Sequence, residues 1–518
     1  MENQYDAIVI GSGFGGCMTA YKLINAGMKV GMIEKGENVL RGIHNWEKYA
    51  SLDLTKHYDK SQPYKVIKGG NKKEMGSYSA LGGPSIFYGG VSFRFREKDF
   101  KPPMDIIAES NADWPIDYQD LSPYYDEAEQ LLQISGEAGI DPTEPKRNIP
   151  FPQKAPPIAD ISKKIKQAAE SLKLNPFRLP LAINYEDTAR STCIRCTTCD
   201  TFACAIGAKN DLATMMLPDL IGKGLDIFDK TLTTQLVYEQ GNISEVKCIH
   251  MESKKQISMR SKLVILAAGA LGSPHLLLSS ELDKYNPSGN LVGRYLMRHT
   301  NAIIFGIYPT PPDKQKIFHK ELAILDYYFG HESISYPKHK IGSLQQIPTP
   351  PAGLVELEAP ARLGKLAAKG VSLLTGLLAI AEDQPQHSNL ISVDISKRTD
   401  FNMATPLVST TYSDRDLAAI KVLSEKAKQI MKKTGSWLHY IHNIKTFSHA
   451  VGTVRMGNNP NEAPLDKNCN FRGVENLYVV DGSFMPTSAA VNPSLTISAN
   501  ALRVGDYITK KHTFNNES

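Results

Sequence analysis

The first thirty-four residues constrain the fold more tightly than any other part of the chain. Asp6-Ala-Ile-Val-Ile10 is a short apolar, β-branched run, the pattern of a strand buried on both faces. It leads directly into Gly11-Ser-Gly13-Phe-Gly15-Gly16. Met18 to Asn25 then reads as a helix ended by Gly27, Lys29-Val-Gly-Met-Ile33 as a second strand, and Glu34 closes that strand. The glycines permit a tight turn and close approach of backbone to ligand. The helix start offers unpaired N–H groups to a pyrophosphate, and the acid suits a ribose hydroxyl. A bare G-x-G-x-x-G is weak evidence, but strand, helix and acid at these spacings specify a dinucleotide-binding unit with a parallel sheet. An acid at position 34 disfavours a 2′-phosphate, and with it NADP.

A chain of 518 residues exceeds one ordinary hydrophobic core and predicts several domains. With 42% apolar and 22% charged residues, a largely disordered chain is excluded. The net charge of +5 arises from 59 basic and 54 acidic residues with no long Lys/Arg block, so a nucleic-acid partner is not expected. Met1 to Asp6 precede the first strand without a basic n-region or an apolar h-region. No cleavable secretory signal is therefore expected, which implies a cytoplasmic location unless a signal-bearing partner escorts the chain. The longest apolar stretch, 362–381, is broken by Lys365 and Lys369, and its uncharged part is shorter than the roughly 20 residues of a membrane span.

Further nucleotide-site segments lie far along the chain. Lys262-Leu-Val-Ile-Leu-Ala-Ala-Gly269 is a strand ending in small residues before a Leu-rich helix, and Asn476 to Asp481 is a strand running into the polar turn Gly482-Ser-Phe-Met-Pro486. Strand C-terminal ends are where open α/β sheets bind ligands. A site assembled from such distant segments suits FAD better than NAD.

At these residues the chain resembles the glucose–methanol–choline (GMC) family of FAD-dependent oxidoreductases. The resemblance also includes Leu81-Gly-Gly-Pro-Ser-Ile-Phe-Tyr-Gly-Gly90, Trp114-Pro115 with Leu121 to Tyr125 and Glu129, and Gly293-Arg294 before His299. It continues with Glu382 to Pro385 before Asn389, His449-Ala-Val-Gly-Thr453, and Asp481-Gly-Ser483 leading to Asn492-Pro-Ser-Leu-Thr-Ile497. It implies an α/β fold in which a Rossmann-like FAD domain is interleaved with an α+β substrate domain built on an antiparallel sheet. The implied FAD segments are 1–100, 205–300 and 440–518, with a linking or cap region over 101–204 and a substrate domain over 301–439.

The same resemblance implies site roles. Gly11, Gly13, Gly15, Gly16 and Glu34 would hold the pyrophosphate and adenosine ribose. Gly82, Gly83, Ser85, Gly89 and Gly90 would lie along a non-covalently bound flavin, with Tyr88 departing from the small or Asn residue usual before Gly89. Leu236 would pack near adenine. Asp481 and Gly482 would contact the ribityl–phosphate chain and Thr496 the pyrimidine end of the flavin, with Ala268, Gly269, Asn492 and Pro493 also among the cofactor-binding residues. The reacting pair maps onto His449 and Asn492. Oxidising an alcohol requires removal of the hydroxyl proton while the α-hydrogen leaves as hydride to flavin N5. A neutral imidazole accepts that proton, and an amide holds the same oxygen without titrating. His299, His387 and His442 are read as structural.

Four of the seven cysteines cluster as Cys193-x2-Cys196-x2-Cys199-x4-Cys204. Such spacing suits an iron–sulfur cluster (3Fe-4S or 4Fe-4S), a structural zinc or disulfides. The resemblance favours the cluster, which would relay electrons to an accepting protein subunit. A dehydrogenase using that relay, an oxidase making hydrogen peroxide, and a non-redox lyase or decarboxylase on the same fold all remain open. In the middle of the chain, Asn301 to Tyr308 and Leu390 to Ile395 read as strands of the substrate sheet, Asp414 to Lys433 as a helix, and the Leu-rich 362–381 as a helix. That last segment is either core or a partner-docking or peripheral membrane surface, and it tilts the substrate towards an oily alcohol.

Overall fold

The computed structural model describes residues 4–68, 71–360 and 362–514. Its nucleotide half is a five-stranded parallel sheet in the spatial order Leu477–Val479, Ser261–Leu266, Tyr5–Ile10, Val30–Ile33 and Asp226–Phe228. Sequence order and spatial order disagree because one flank of the first strand is the next strand in sequence, Val30–Ile33, while the other, Ser261–Leu266, comes from a distant segment. The inner strands Ser261–Leu266, Tyr5–Ile10 and Val30–Ile33 are largely buried on both faces, so their sequences are mostly continuous apolar runs rather than alternations. The helices Phe14–Asn25 and Ser494–Phe514 pack together over the sheet, so the chain's two ends close one core.

The second half is a six-stranded antiparallel sheet, ordered Leu438–Asn443, Thr300–Ile307, Leu374–Ala381, Gly342–Ile347, Leu322–Ile324 and Phe177–Arg178. One face carries Ala302, Ile304, Leu344, Leu377 and Ala379, which form a core with the helices Asp160–Glu170 and Asp414–Lys433. The opposite face carries Phe305, Ile347, Leu378 and Ile380, interrupted by Ser343 and Gln345. The 101–204 segment thus contributes a helix and an edge strand to this layer.

Two sequence expectations change here. The Leu-rich 362–381 is not one helix: a short helix over Gly364–Gly370 is followed by the central strand Leu374–Ala381. That strand is buried on both faces, and such a run has no alternation to separate it from a buried helix. Its leucines are sheet core, which removes the argument for an oily substrate; Leu363 and Leu366 alone remain exposed. The strand beginning at Leu390 runs to Arg398 but pairs in a separate four-stranded sheet with Ala404–Ser409, Tyr58–Lys68 and Asn71–Tyr78. The helix Asp414–Lys433 lies where its period put it, opened by a Ser413–Asp416 capping box. Among the described residues no helix is long and apolar enough to cross a membrane.

Candidate active site

The site lies where the two halves meet, and backbone pairing creates it. Met297 and Val451 exchange hydrogen bonds, Met297 N–H to Val451 O at 3.0 Å and Val451 N–H to Met297 O at 2.9 Å. An antiparallel bridge between 297 and 451 sets 299 opposite 449, and His299 Nδ1 stands 3.0 Å from His449 Nδ1 with the rings edge-on at 79°. His449 Nε2, on the far side of its ring, lies 3.3 Å from Asn492 Nδ2. Gln345 Nε2 donates to Asn492 Oδ1 at 2.8 Å, which turns the amide N–H2 towards the imidazole. Burial above all, then the neighbouring His299 (which repels a second proton on the pair) and Lys320, holds His449 well below the ordinary histidine range, so it is neutral at pH 7.

Asn492 owes its position to a turn fastened on several sides. Ala489 N–H donates to Glu382 Oε1 at 3.0 Å, Ala490 N–H to Tyr328 OH at 3.1 Å, Ser343 OH to Ala490 O at 2.7 Å and Ser488 OH to Asp383 Oδ1 at 2.8 Å. Beneath the turn Lys340, fully buried, pairs with Asp99 and with Glu382 at 3.0 Å, and Tyr328 OH donates to Asp99 at 2.9 Å. Burial alone would lower the Lys340 ammonium, but the two carboxylates hold it above its ordinary value. Sequence reasoning missed Gln345, Lys340 and the contact of His299 with His449. The one local signal was the three polar residues Ser343, Gln345 and Gln346 within a six-residue strand.

The nucleotide cradle fits a dinucleotide. The helix Phe14–Asn25 opens at Gly13 with no side-chain cap, leaving its first N–H groups for an anion. A Cβ on Gly15 would lie 2.4 Å from Val480 O and one on Gly16 1.9 Å from Gly11 O, so these glycines serve packing. At Gly13 a Cβ would meet only Pro84 Cδ at 3.9 Å; that space is open. Gly83 brings the second Gly-rich segment against Gly13. Glu34 receives Ser12 N–H at 3.0 Å, Ser12 OH at 2.7 Å and Gly36 N–H at 2.8 Å, and Ser12 Oγ accepts from Gly82 N–H at 2.9 Å, tying the two segments together. Ser85 OH donates to Gly82 O, while Gly89 packs on Asp200 and Gly90 takes the Ala182 N–H. Asp481 accepts Gly269 N–H at 3.0 Å, Ser483 N–H at 2.8 Å and the Ser273 hydroxyl, joining the ends of two parallel strands; Ser273 Oγ also receives the Ala268 N–H. Gly482 O accepts the Gly452 N–H, which ties this turn to the His449 loop. Pro493 is buried at the start of the last helix, and Thr496 shares a hydrogen bond of 2.7 Å with Tyr125 OH.

Sequence models of the GMC oxidoreductase family match residues 5–301 and 391–501. The chain belongs to that family. GMC oxidoreductases are flavoproteins, and the cradle fits their FAD. Among curated GMC relatives, 6'''-hydroxyparomomycin C oxidase of Streptomyces lividus is 28% identical, over 97% of this chain and 91% of that protein. The 2-methyl-1,2-propanediol dehydrogenase of Mycolicibacterium austroafricanum is 26% identical, over 98% and 96%. The crystal structure of pyridoxine 4-oxidase from Mesorbium loti superposes with a TM-score of 0.67 at 18% identity, over 97% of this chain and 98% of that one. The GMC fold expected from sequence is the fold observed.

Two assignments need revision. Leu236 packs in the parallel-sheet core, and its N–H donates to Ser280 Oγ at 2.9 Å. The end of that strand beside the ribose acid is instead Thr231, whose N–H donates to Glu34 O. The four clustered thiols, expected to ligate a metal, do not converge: among the described residues no three His, Cys, Asp or Glu side chains form a metal-holding group, and all four cysteines are free. Cys193 and Cys196 are half-buried, while Cys199 and Cys204 are buried. The loop is organised by an ammonium instead. Buried Lys209 donates to Tyr88 O at 2.8 Å, Cys199 O at 3.0 Å and Phe202 O at 2.7 Å, and burial pushes the Cys193 thiol up to about 11. The four thiols, though of the right chemistry, are not gathered as an iron–sulfur cluster would need them. Of the remaining histidines, His442 faces Glu358 at 4.0 Å and His387 stands edge-on to Tyr295.

The open space at Gly13 has a measurable consequence. Gly13 has φ −72°, which alanine adopts readily, so Gly13→Ala is expected to fold as the parent does. Its methyl fills the pyrophosphate space, and FAD affinity should fall at least about tenfold, the scale of overpacking one methyl group. Flavin absorbance retained after dialysis measures it.

Proposed function

We propose that the protein oxidises the hydroxyl-bearing carbon of an alcohol substrate, with His449 as the proton acceptor. The observation that carries this reading is the free edge of His449: a neutral imidazole whose Nε2 faces Asn492 beside the flavin cradle. Bound FAD supplies the acceptor for the hydride that leaves the substrate carbon. The protein's own residues do the rest. Asn492 Nδ2, aimed by Gln345, donates to the substrate oxygen and holds it beside His449. His449 Nε2 takes the hydroxyl proton as the C–O bond becomes a carbonyl, and the buried surroundings keep that nitrogen unprotonated beforehand. The relatives 6'''-hydroxyparomomycin C oxidase and 2-methyl-1,2-propanediol dehydrogenase support a hydroxyl substrate and leave both types of electron acceptor in play.

The test is anaerobic. Adding candidate diols and amino sugars to the FAD-loaded protein should bleach the flavin absorbance with one carbonyl formed per flavin. A flavin that no alcohol bleaches, beside a substrate consumed without reduction, would turn the reading towards lyase chemistry. Admitting air afterwards separates the acceptors, because prompt recovery of colour with peroxide marks an oxidase.

A further inference from the structure

His299 lies outside the reacting pair yet touches it. Its ring is buried, its Nδ1 faces His449 Nδ1 at 3.0 Å, and its Nε2 lies 3.1 Å from the Ser488 carbonyl. We propose that His299 is a positioning residue that dictates which nitrogen of His449 carries the proton, leaving Nε2 bare towards the substrate. The inference rests on the reading of His449 as proton acceptor.

It follows from counting donors. A carbonyl oxygen only accepts, so the His299 nitrogen facing Ser488 is the protonated one. A neutral imidazole has a single N–H, so His299 Nδ1 presents a lone pair to His449. His449 Nδ1 must then donate, and its Nε2 is left as the lone pair beside the amide N–H2 of Asn492. The opposite tautomer of His449 would set two lone pairs against each other in a buried contact and aim an N–H at the Asn492 N–H2 group. The pattern is self-consistent from Gln345 to Ser488.

The surroundings hold His299 in this role from both sides. Asp383 accepts the Arg298 N–H at 2.8 Å through one oxygen and the Ser488 hydroxyl at 2.8 Å through the other, which clamps the histidine's backbone to the carbonyl its ring addresses. Tyr412 OH donates to the His299 carbonyl at 2.9 Å. The ionisable groups around the histidine pair are Asp383, Asp416 behind it and Lys320. Burial keeps His299 below its ordinary value, as a single-proton relay requires.

The test reads the tautomer directly, in FAD-loaded protein with 15N-labelled histidine, by long-range proton–nitrogen correlation. The His449 signal is assigned by its loss in His449→Gln. His449 is expected to be protonated on Nδ1. In His299→Leu the Nδ1–H loses its acceptor, so an Nε2–H population absent from the parent should appear against the hold of the Asn492 amide, and flavin reduction by the alcohol should slow at least about tenfold, part of the roughly 10²–10⁴-fold that a positioned general base contributes. In His299→Asn the amide oxygen replaces Nδ1 as acceptor, so both tautomer and most of the rate should survive. Leu and Asn variants alike in tautomer and rate would overturn the proposal, as would Nε2–H in the parent. If the Leu variant fails to load FAD, His299→Gln replaces it, since its amide reaches the Ser488 side and not His449; Gln equal to Asn would overturn the proposal too. The underlying reading fails separately, if His449→Gln leaves flavin reduction unchanged while the tautomer pattern stands.

Discussion

His449→Gln should slow flavin reduction by about 10²–10⁴-fold, the contribution typical of a positioned general base, while leaving FAD content unchanged. Glutamine keeps a polar group within reach of the substrate oxygen but accepts no proton at neutral pH, so the loss falls on the chemical step rather than on folding. Anaerobic stopped-flow measures the reduction, and flavin absorbance measures loading. A loss smaller than about tenfold would remove His449 from the role of base. The pH dependence has a definite sign. Because burial, with His299 and Lys320, depresses the His449 value, the parent's rate should stay level through neutrality and fall only well below pH 6.5, the ordinary histidine value. Stability should lean the same way. Below pH 6.5 the unfolded chain binds a proton that the folded site refuses, so acid disfavours the fold until the depressed value is reached.

Lys340→Met should be the most damaging single change to stability, costing about 3–5 kcal/mol, because it leaves Asp99 and Glu382 buried without a counter-ion. The damage should also reach the site. Glu382 holds Ala489, and Tyr328, itself bonded to Asp99, holds Ala490, so the turn bearing Asn492 loses two of its fastenings. Urea unfolding followed by tryptophan fluorescence gives the stability, and flavin reduction the second effect. Combining Lys340→Met with Asp99→Asn and Glu382→Gln removes the stranded charges and should recover a large part of the loss. A triple variant no more stable than Lys340→Met would mean that packing, not charge, dominates at this position.

The sequence carried the nucleotide half well, because its signals are local. Gly11 to Gly16 and Glu34 lie within one strand–helix–strand unit, and their spacing is itself the geometry. Asn492 and His449 were legible through the motifs around them. What stayed hidden depends on pairing between distant segments. Nothing near His299 announces that the Met297–Val451 bridge will set it opposite His449. Nothing near Gln345 announces that its strand will present it to residue 492. The Leu374–Ala381 strand was misread because a strand covered on both faces loses the alternation that identifies strands. The cysteine spacing pointed to a metal because four thiols within twelve residues are usually ligands. The fold instead gathers that loop around Lys209, a buried residue with nothing in its neighbourhood to mark it.

The return of the chain to its first strand has a consequence for biosynthesis. The strand Tyr5–Ile10 is flanked by residues 30–33 and 261–266, and the outer strand, Leu477–Val479, is followed by the helix that packs on Phe14–Asn25. A nascent chain therefore carries an open apolar sheet edge until residues 477–514 have left the ribosome. The cradle is complete only once Asp481 is in place, and a chain lacking residues 477–514 leaves that apolar edge uncovered.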